Sequence, residues 1–323
     1  MSKATCTDEE FIELYNTHMS AAKVARVLGI AERQVNYRRN SIEKKYDMIF
    51  KSDHVGSPRY VPPGRKETPS RLNLNISNGV VIVFSDAHFW PGIHTTAFRA
   101  LIKFIENFKP VAVIANGDIF DGAQASRHPR IGWEGAPSII QELKACEIAM
   151  GEIDDTAKSA RHNTKLIWTM GNHDQRFASR LSANAPQYEF VKGFNLSDHF
   201  SSWQHCTSCW VTEKLVVKHR WKGGIHATHN NTVNAGVTMV TGHLHSLKVT
   251  PWNDLTGNRY GVDTGTLADT DGPQFDAYME HNPANWRSGF AVLTIKNDHL
   301  LWPELVLKHD ENHVEFRGEI VKV

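Results

Sequence analysis

Five short apolar runs dominate the pattern of this chain: VVIVF (80–84), VAVIAN (111–116), LIWTM (166–170), KLVVK (214–218) and VTMVT (237–241). Each is shorter than an ordinary helix and is followed at once by polar residues or glycine. That is the pattern of strands buried on both faces. Helical stretches occupy 95–108 and 138–158, between the first three runs. Buried strands alternating with helices imply an α/β layered fold, with sheet inside and helices outside. Strand-like signals return after about residue 260 in FAVLTI, LLWPELVL and HVEFRG, with no internal repeat or low-complexity tract. Trp168 and Trp302 fall within strand-like runs and are expected in the core.

The polar blocks sit where open α/β sheets hold ligands, just beyond the carboxyl ends of strands. In chain order they are Ser85-Asp86-Ala87-His88, Gly117-Asp118-Ile119-Phe120-Asp121-Gly122, Gly171-Asn172-His173-Asp174, His219 and Gly242-His243-Leu244-His245. A carboxylate and an imidazole two residues apart on one loop can turn toward the same cation, and mixed nitrogen and oxygen donors suit Mn, Fe, Zn or Ni. Two cations about 3.5–4 Å apart need a shared ligand, and a carboxylate has two oxygens for it. The glycines at 117, 122, 171 and 242 permit the tight turns such loops require.

These five blocks, in this order, resemble the calcineurin-like metallophosphoesterases, whose pattern is D-x-H, G-D-x-x-D-G, G-N-H-D/E, a strand-end His and G-H-x-H. The match covers about 80–265 and includes the turn Asp263-Thr264-Gly265-Thr266. The resemblance implies a β-sandwich flanked by helices (α/β/β/α) that holds two divalent metal ions, Mn foremost, with Fe, Zn, Ni or Mg as alternatives. By resemblance Asp118 is the bridge. Asp86, His88 and His245 complete one site, and Asn172, His219 and His243 the other. Arg220 stands after His219 where the family has glycine, which leaves His226 and His229 as competitors for that position. His173 is implied not as a ligand but as the residue assisting the leaving oxygen, with Asp121 and Asp174 as candidate orienting carboxylates. Arg127 and His128 lie on a loop expected to reach the substrate. The implied chemistry is hydrolysis by attack of a metal-bound hydroxide. Because the family includes monoesterases, diesterases and nucleases on one scaffold, the fold does not choose the substrate.

The first fifty residues read as three short helices, and AAKVARVLGIAERQV (21–35) resembles the helix-turn-helix signature. Gly29 falls in the turn, and the following helix carries Arg33, Asn36, Arg38 and Arg39, residue types suited to phosphates and base edges. Residues 1–75 hold 13 Lys/Arg against 9 Asp/Glu, although the whole chain carries a net charge of only +1. A proline-rich segment over 51–75 reads as a linker, dividing a 1–50 domain from a 76–323 catalytic domain. Helix-turn-helix, linker and phosphoesterase in that order also resemble several phage-encoded members. Nucleic acid is therefore the expected substrate, by strand cleavage or removal of end phosphates. One alternative is a monoesterase acting on a small molecule or phosphoprotein, with the N-terminal module used for docking. Another is a DNA-binding regulator with an inert metal domain. The four cysteines are too few for a disulfide framework, and Cys206-x-x-Cys209 is expected in a hairpin turn rather than at zinc. With an acidic N-terminus and no apolar stretch near the ~18 residues of a membrane span, the expected location is the cytoplasm, that of the host for a phage protein, with no membrane partner.

Overall fold

A computed structural model of the chain describes residues 6–50, 68–126, 135–189, 191–275, 279 and 282–323. Arg127 and His128 lie outside the described residues, as do linker residues 51–67. The chain divides into two compact units, Met1–Arg65 and Lys66–Val323.

The first unit contains α1 (Asp8–His18), α2 (Ala21–Leu28) and α3 (Glu32–Tyr46). Thr7 and Glu10 cap α1 reciprocally through side chain and backbone, satisfying two amides that the first turn leaves unpaired. Gly29 ends α2 at φ 62°, a left-handed conformation natural to glycine. Phe11, Tyr15, Val24, Val35, Ile42 and Phe50 form the core. Arg38 and Arg39, expected to face nucleic acid, fold back instead. Arg38 donates to the Cys6 carbonyl at 2.6 Å and lies 5.0 Å over the Phe11 ring. Arg39 donates to the Tyr15 hydroxyl at 3.1 Å. The cause is helical spacing: positions three and four after buried Val35 flank the same core face. Asn36 is half-buried, whereas Arg33, Tyr37, Asn40 and Lys44 are exposed.

The second unit is built on two sheets. It opens with β1 (Arg71–Asn73), β2 (Asn78–Phe84), α4 (Thr96–Phe108), β3 (Ala112–Ala115), α5 (Ile139–Ala160), β4 (Lys165–Thr169), α6 (Arg176–Asn184) and β5 (Gln204–Cys206). It continues with β6 (Ser208–Thr212), β7 (Leu215–Val217), α7 (Ala227–Ala235), β8 (Thr238–Thr241), β9 (Lys248–Asp254) and β10 (Gly257–Asp263). The last strands are β11 (Gly289–Lys296), β12 (His299–Leu300), β13 (Glu304–Lys308), β14 (His313–Phe316) and β15 (Glu319–Lys322). One sheet runs β15-β14-β13-β11-β2-β3-β4-β5, with β12 paired to β11, and β2 to β5 are mutually parallel. The other runs β1-β6-β7-β8-β10-β9.

Side chains alternate across a strand, and the VVIVF run shows the result. Ile82 and Phe84 join the core under α4 and α5. Val81 and Val83 join the core between the sheets with Val217, Val240 and Val262. The continuous apolar run follows from both faces being covered. Leu72, Leu74 and Ile76 also alternate. β1 pairs in parallel with β6, and Leu74 and Ile76 are buried between the sheets, so the expected linker enters the sheet before its end. Cys206 and Cys209 are not in a hairpin: β5 and β6 belong to different sheets, and both thiols are buried between them. Burial pushes the Cys206 thiol up to about 12. Trp168 is in the core, but Trp302 is 59% exposed and packs edge-on against Tyr260. Among the described residues no helix is long and apolar enough to cross a membrane.

Candidate metal centre

The polar blocks converge because the strands carrying them end on common edges. β2, β3 and β4 are parallel neighbours, so the segments following them open together. β7 and β8 are likewise parallel, and the Gly242 amide donates to the His219 carbonyl at 2.9 Å, setting His219 beside His243. Two groups of donor atoms result, Asp86 with His88 and His245, and Asp118 with His219 and His243, each within 4.8 Å. A third, His88 with Asp121 and His173, adjoins the first. Nearly all of these side chains are buried, His173 and His243 being half-buried.

Holding them there strains the backbone. Asp86, His88, Asp118, His243 and His245 all adopt positive φ, between 40° and 71°. For residues with a Cβ this conformation costs on the order of 1–3 kcal/mol each, so the surrounding fold must enforce it. Gly171 and Gly242 answer a different need, since neither has positive φ. A Cβ at Gly171 would overlap Asp118 Oδ1, and one at Gly242 would meet Asp86 Oδ2 at 2.5 Å.

The hydrogen bonds separate two roles for the acidic residues. Asp121 Oδ1 lies 2.9 Å from His88 Nδ1 and 3.0 Å from His173 Nδ1, so one carboxylate orients both imidazoles. Asp174 does not touch the His173 ring. Its oxygens accept from the amides of Asp118, Ile119, Phe120 and Gly171 and from the Trp168 indole, at 2.8–3.1 Å. Asp174 thus ties the loop after β3 to the loop after β4, and of the two expected orienting carboxylates only Asp121 reaches the His173 ring.

Charge and burial are balanced locally. Burial disfavours the Asp118 carboxylate, but His219, His173 and His88 overcome it and hold its carboxyl far below the ordinary range. Burial works against a charged His219, yet Asp118 and Asp86 raise its imidazole to about 9. His219 Nδ1 donates to the Asn116 carbonyl at 2.7 Å, which leaves Nε2 facing Asp118 Oδ2 at 3.1 Å. Among the described residues, the buried Asn172 Oδ1 has no hydrogen-bond partner, and the buried His219 Nε2 has no well-aligned one, only the Asp118 oxygen beside it. Buried imidazole and amide donors gathered beside carboxylates, with hydrogen bonding left unsatisfied, are what a cation would satisfy, so this donor set fits divalent metal. His226 is exposed at the N-cap position of α7 and His229 packs against Trp252, whereas His219 lies in the group with Asp118 and His243.

Several residues of the site carried no sequence signal of their own. Arg176 donates to the Asp121 carbonyl, and its Nη2 lies 3.0 Å from His173 Nε2. Three residues after His173 at the start of α6, it faces the same way, and that spacing was the available clue. Glu142 on α5 is fully buried and accepts from the Gly122 amide at 2.7 Å. Burial, reinforced by the Asp121 charge, pushes its carboxyl up to about 7. Phe275 and Trp286 pack on His245 at ring separations of 5.6 and 4.6 Å.

Fold and donor set together define a metal-dependent phosphoester hydrolase. The calcineurin-like phosphoesterase profile matches residues 79–308, and the chain belongs to that family. Among curated relatives it is similar to the Gene 54 proteins of Mycobacterium phages L5 and D29. Each is 24% identical, over 70% of this chain and 92% of the relative. Among solved structures it aligns with a protein serine/threonine phosphatase of Saccharomyces cerevisiae, at 13% identity and TM-score 0.37 over 76% of this chain and 86% of that one. A dimetal phosphatase of Danio rerio aligns at 10% identity and TM-score 0.35, over 77% and 99%.

Proposed function

We propose that this protein hydrolyses phosphodiesters of nucleic acid at a two-metal centre in which Asp118 is the shared ligand. Asp86, His88 and His245 hold one ion, and Asn172, His219 and His243 the other. The observation that carries this assignment is the pair of three-donor groups, with Asp118 close enough to His88 and His219 to feel both charges. When bound, the two cations supply charge neutralisation at the phosphoryl group and an activated water. Mixed imidazole, amide and carboxylate donors suit manganese, iron, zinc or nickel, and manganese is the ion of this proposal.

The chain's own residues do the rest. Asp121 holds His88 and His173 through their Nδ1 atoms, so each presents Nε2 to the centre. His173 Nε2 is the atom placed to protonate a leaving oxygen. As found, that nitrogen is engaged by Arg176. Donation to the substrate requires Arg176 to let go and Nε2 to take up a proton from solvent, and a phosphoryl oxygen is the partner a guanidinium prefers.

Support for nucleic acid comes from the exposed stripe Arg33, Tyr37 and Lys44 on α3, which replaces Arg38 and Arg39 as the candidate contact face. Protein docking is the second reading, favoured by Val27 and Ile49, which are 57% and 89% exposed on the same unit. The test is the full-length protein with Mn²⁺ on end-labelled DNA and RNA, beside bis-p-nitrophenyl phosphate. The triple substitution Arg33→Ala, Tyr37→Ala and Lys44→Ala is expected to weaken action on long DNA, most at low salt. Equal DNA activity and equal salt dependence would favour docking.

A further inference from the structure

The segment directly after His219 is Arg220-Trp221-Lys222-Gly223-Gly224-Ile225-His226, and every residue of it is exposed. It leaves the edge where β7 and β8 end together, beside the Asp118, His219 and His243 group. Its exposure does not come from looseness. Asn231, buried on α7, accepts from the Lys222 amide and donates to the Lys222 carbonyl, at 3.0 and 3.4 Å. Lys248 Nζ donates to the Ile225 carbonyl at 2.7 Å, and the Ala227 amide to the Gly224 carbonyl at 3.0 Å. The backbone is pinned from three sides, while the Trp221 indole stays 48% exposed. Arg220, the residue directly after His219, is exposed and makes no hydrogen bond or ion pair among the described residues. The Lys222 ammonium lies 5.9 Å from the Trp221 ring.

The charge of the flanking sequence has one sign. From Lys214 to Asn253 the sequence holds five Lys/Arg and no Asp or Glu. An exposed indole on a pinned backbone, between two cations in the sequence and two residues from a metal-site histidine, is a platform for an aromatic ring that carries anionic neighbours. Bases stack on such aromatics with little regard to sequence, while phosphates take the cations.

We propose that Arg220, Trp221 and Lys222 form a nucleotide subsite, in which Trp221 stacks the base next to the scissile phosphate and Arg220 holds an adjoining phosphate. This rests on the nucleic-acid reading above and narrows it, because it places recognition of one nucleotide unit on the catalytic unit itself.

The test uses the full-length Mn²⁺-loaded protein and two diesters that release the same p-nitrophenolate: thymidine 5′-p-nitrophenyl phosphate and methyl p-nitrophenyl phosphate. Wild type is expected to favour the thymidine ester in kcat/KM. Trp221→Ala is expected to lower that preference roughly 5- to 100-fold, the loss of one base–aromatic stack, and Trp221→Phe to keep most of it. For a short oligothymidylate bound to the metal-free protein, Arg220→Ala is expected to reduce the salt slope of affinity by about one phosphate contact. A wild type with no thymidine preference, or one that Trp221→Ala leaves intact, overturns the subsite. Cleavage of DNA with an unchanged ratio would retain the nucleic-acid reading and refute the subsite. A Trp221-dependent preference without action on DNA would do the reverse.

Discussion

Asp174→Asn separates a clamp from a catalytic partner. The carboxylate spreads five donors over two oxygens. Oδ1 takes Ile119 and Phe120 amides, and Oδ2 takes the Asp118 and Gly171 amides and the Trp168 indole. Burial and the neighbouring Asp118 charge push its carboxyl upward, but five donors leave no acceptor for a carboxylic proton, so the ionised form fits this pocket. Asparagine must turn its NH₂ toward one set of donors. The less damaging choice faces Ile119 and Phe120, leaving two buried amides unpaired at about 1–3 kcal/mol each. The expected loss is therefore roughly 2–6 kcal/mol, a large share of the margin of a typical domain. Equilibrium urea unfolding of the metal-free protein, followed by Trp fluorescence, measures it. Metal content should fall as well, because the same amides frame Asp118. A variant as stable as wild type that loses turnover alone would refute the clamp and return Asp174 to the role of orienting His173.

Asp118→Asn is expected to abolish turnover and lower metal content, since the proposed shared ligand loses its charge. Two full metal equivalents by elemental analysis would refute the bridge. His173→Ala is expected to keep both metals and lose on the order of 10²–10⁴ in turnover, less with good leaving groups. Loss of a metal would make His173 a ligand. Glu142→Gln tests the buried acid beside the 121–122 turn. Its folded pKa of about 7 lies above the ordinary 4.5, so its contribution is intact below that ordinary value and is lost as pH rises through 7, by up to roughly 3 kcal/mol. The substituted amide does not titrate, so the variant's stability relative to wild type should rise between pH 5 and pH 8 in urea unfolding, and equal pH dependence of the two would refute the buried, raised acid.

Much of the layered fold was legible because its cause is local. A strand covered on both faces reads as an unbroken apolar run, and the polar residues after it mark where the sheet ends. Leu72, Leu74 and Ile76 also alternate as a strand should, a weaker signal than the prolines before them, which read as a linker. The convergence of Asp86, His88, Asp118, His219, His243 and His245 followed from where their runs stop. The direction each side chain takes did not. Five of those six residues adopt positive φ, a conformation their residue types disfavour, and only contacts from distant loops impose it. Arg38 and Arg39 have the chemistry of phosphate contacts, but packing against Phe11 and Tyr15 decided their use. Asp121 and Asp174 are equally plausible partners for His173 on paper. Tertiary structure chose between them by bringing four amides and an indole around Asp174, and leaving Asp121 to face two imidazoles. Sequence alone determined the strands, the donor types and the order in which they arrive. Which lone pair meets which proton depends on long-range packing, and no residue specifies that for itself.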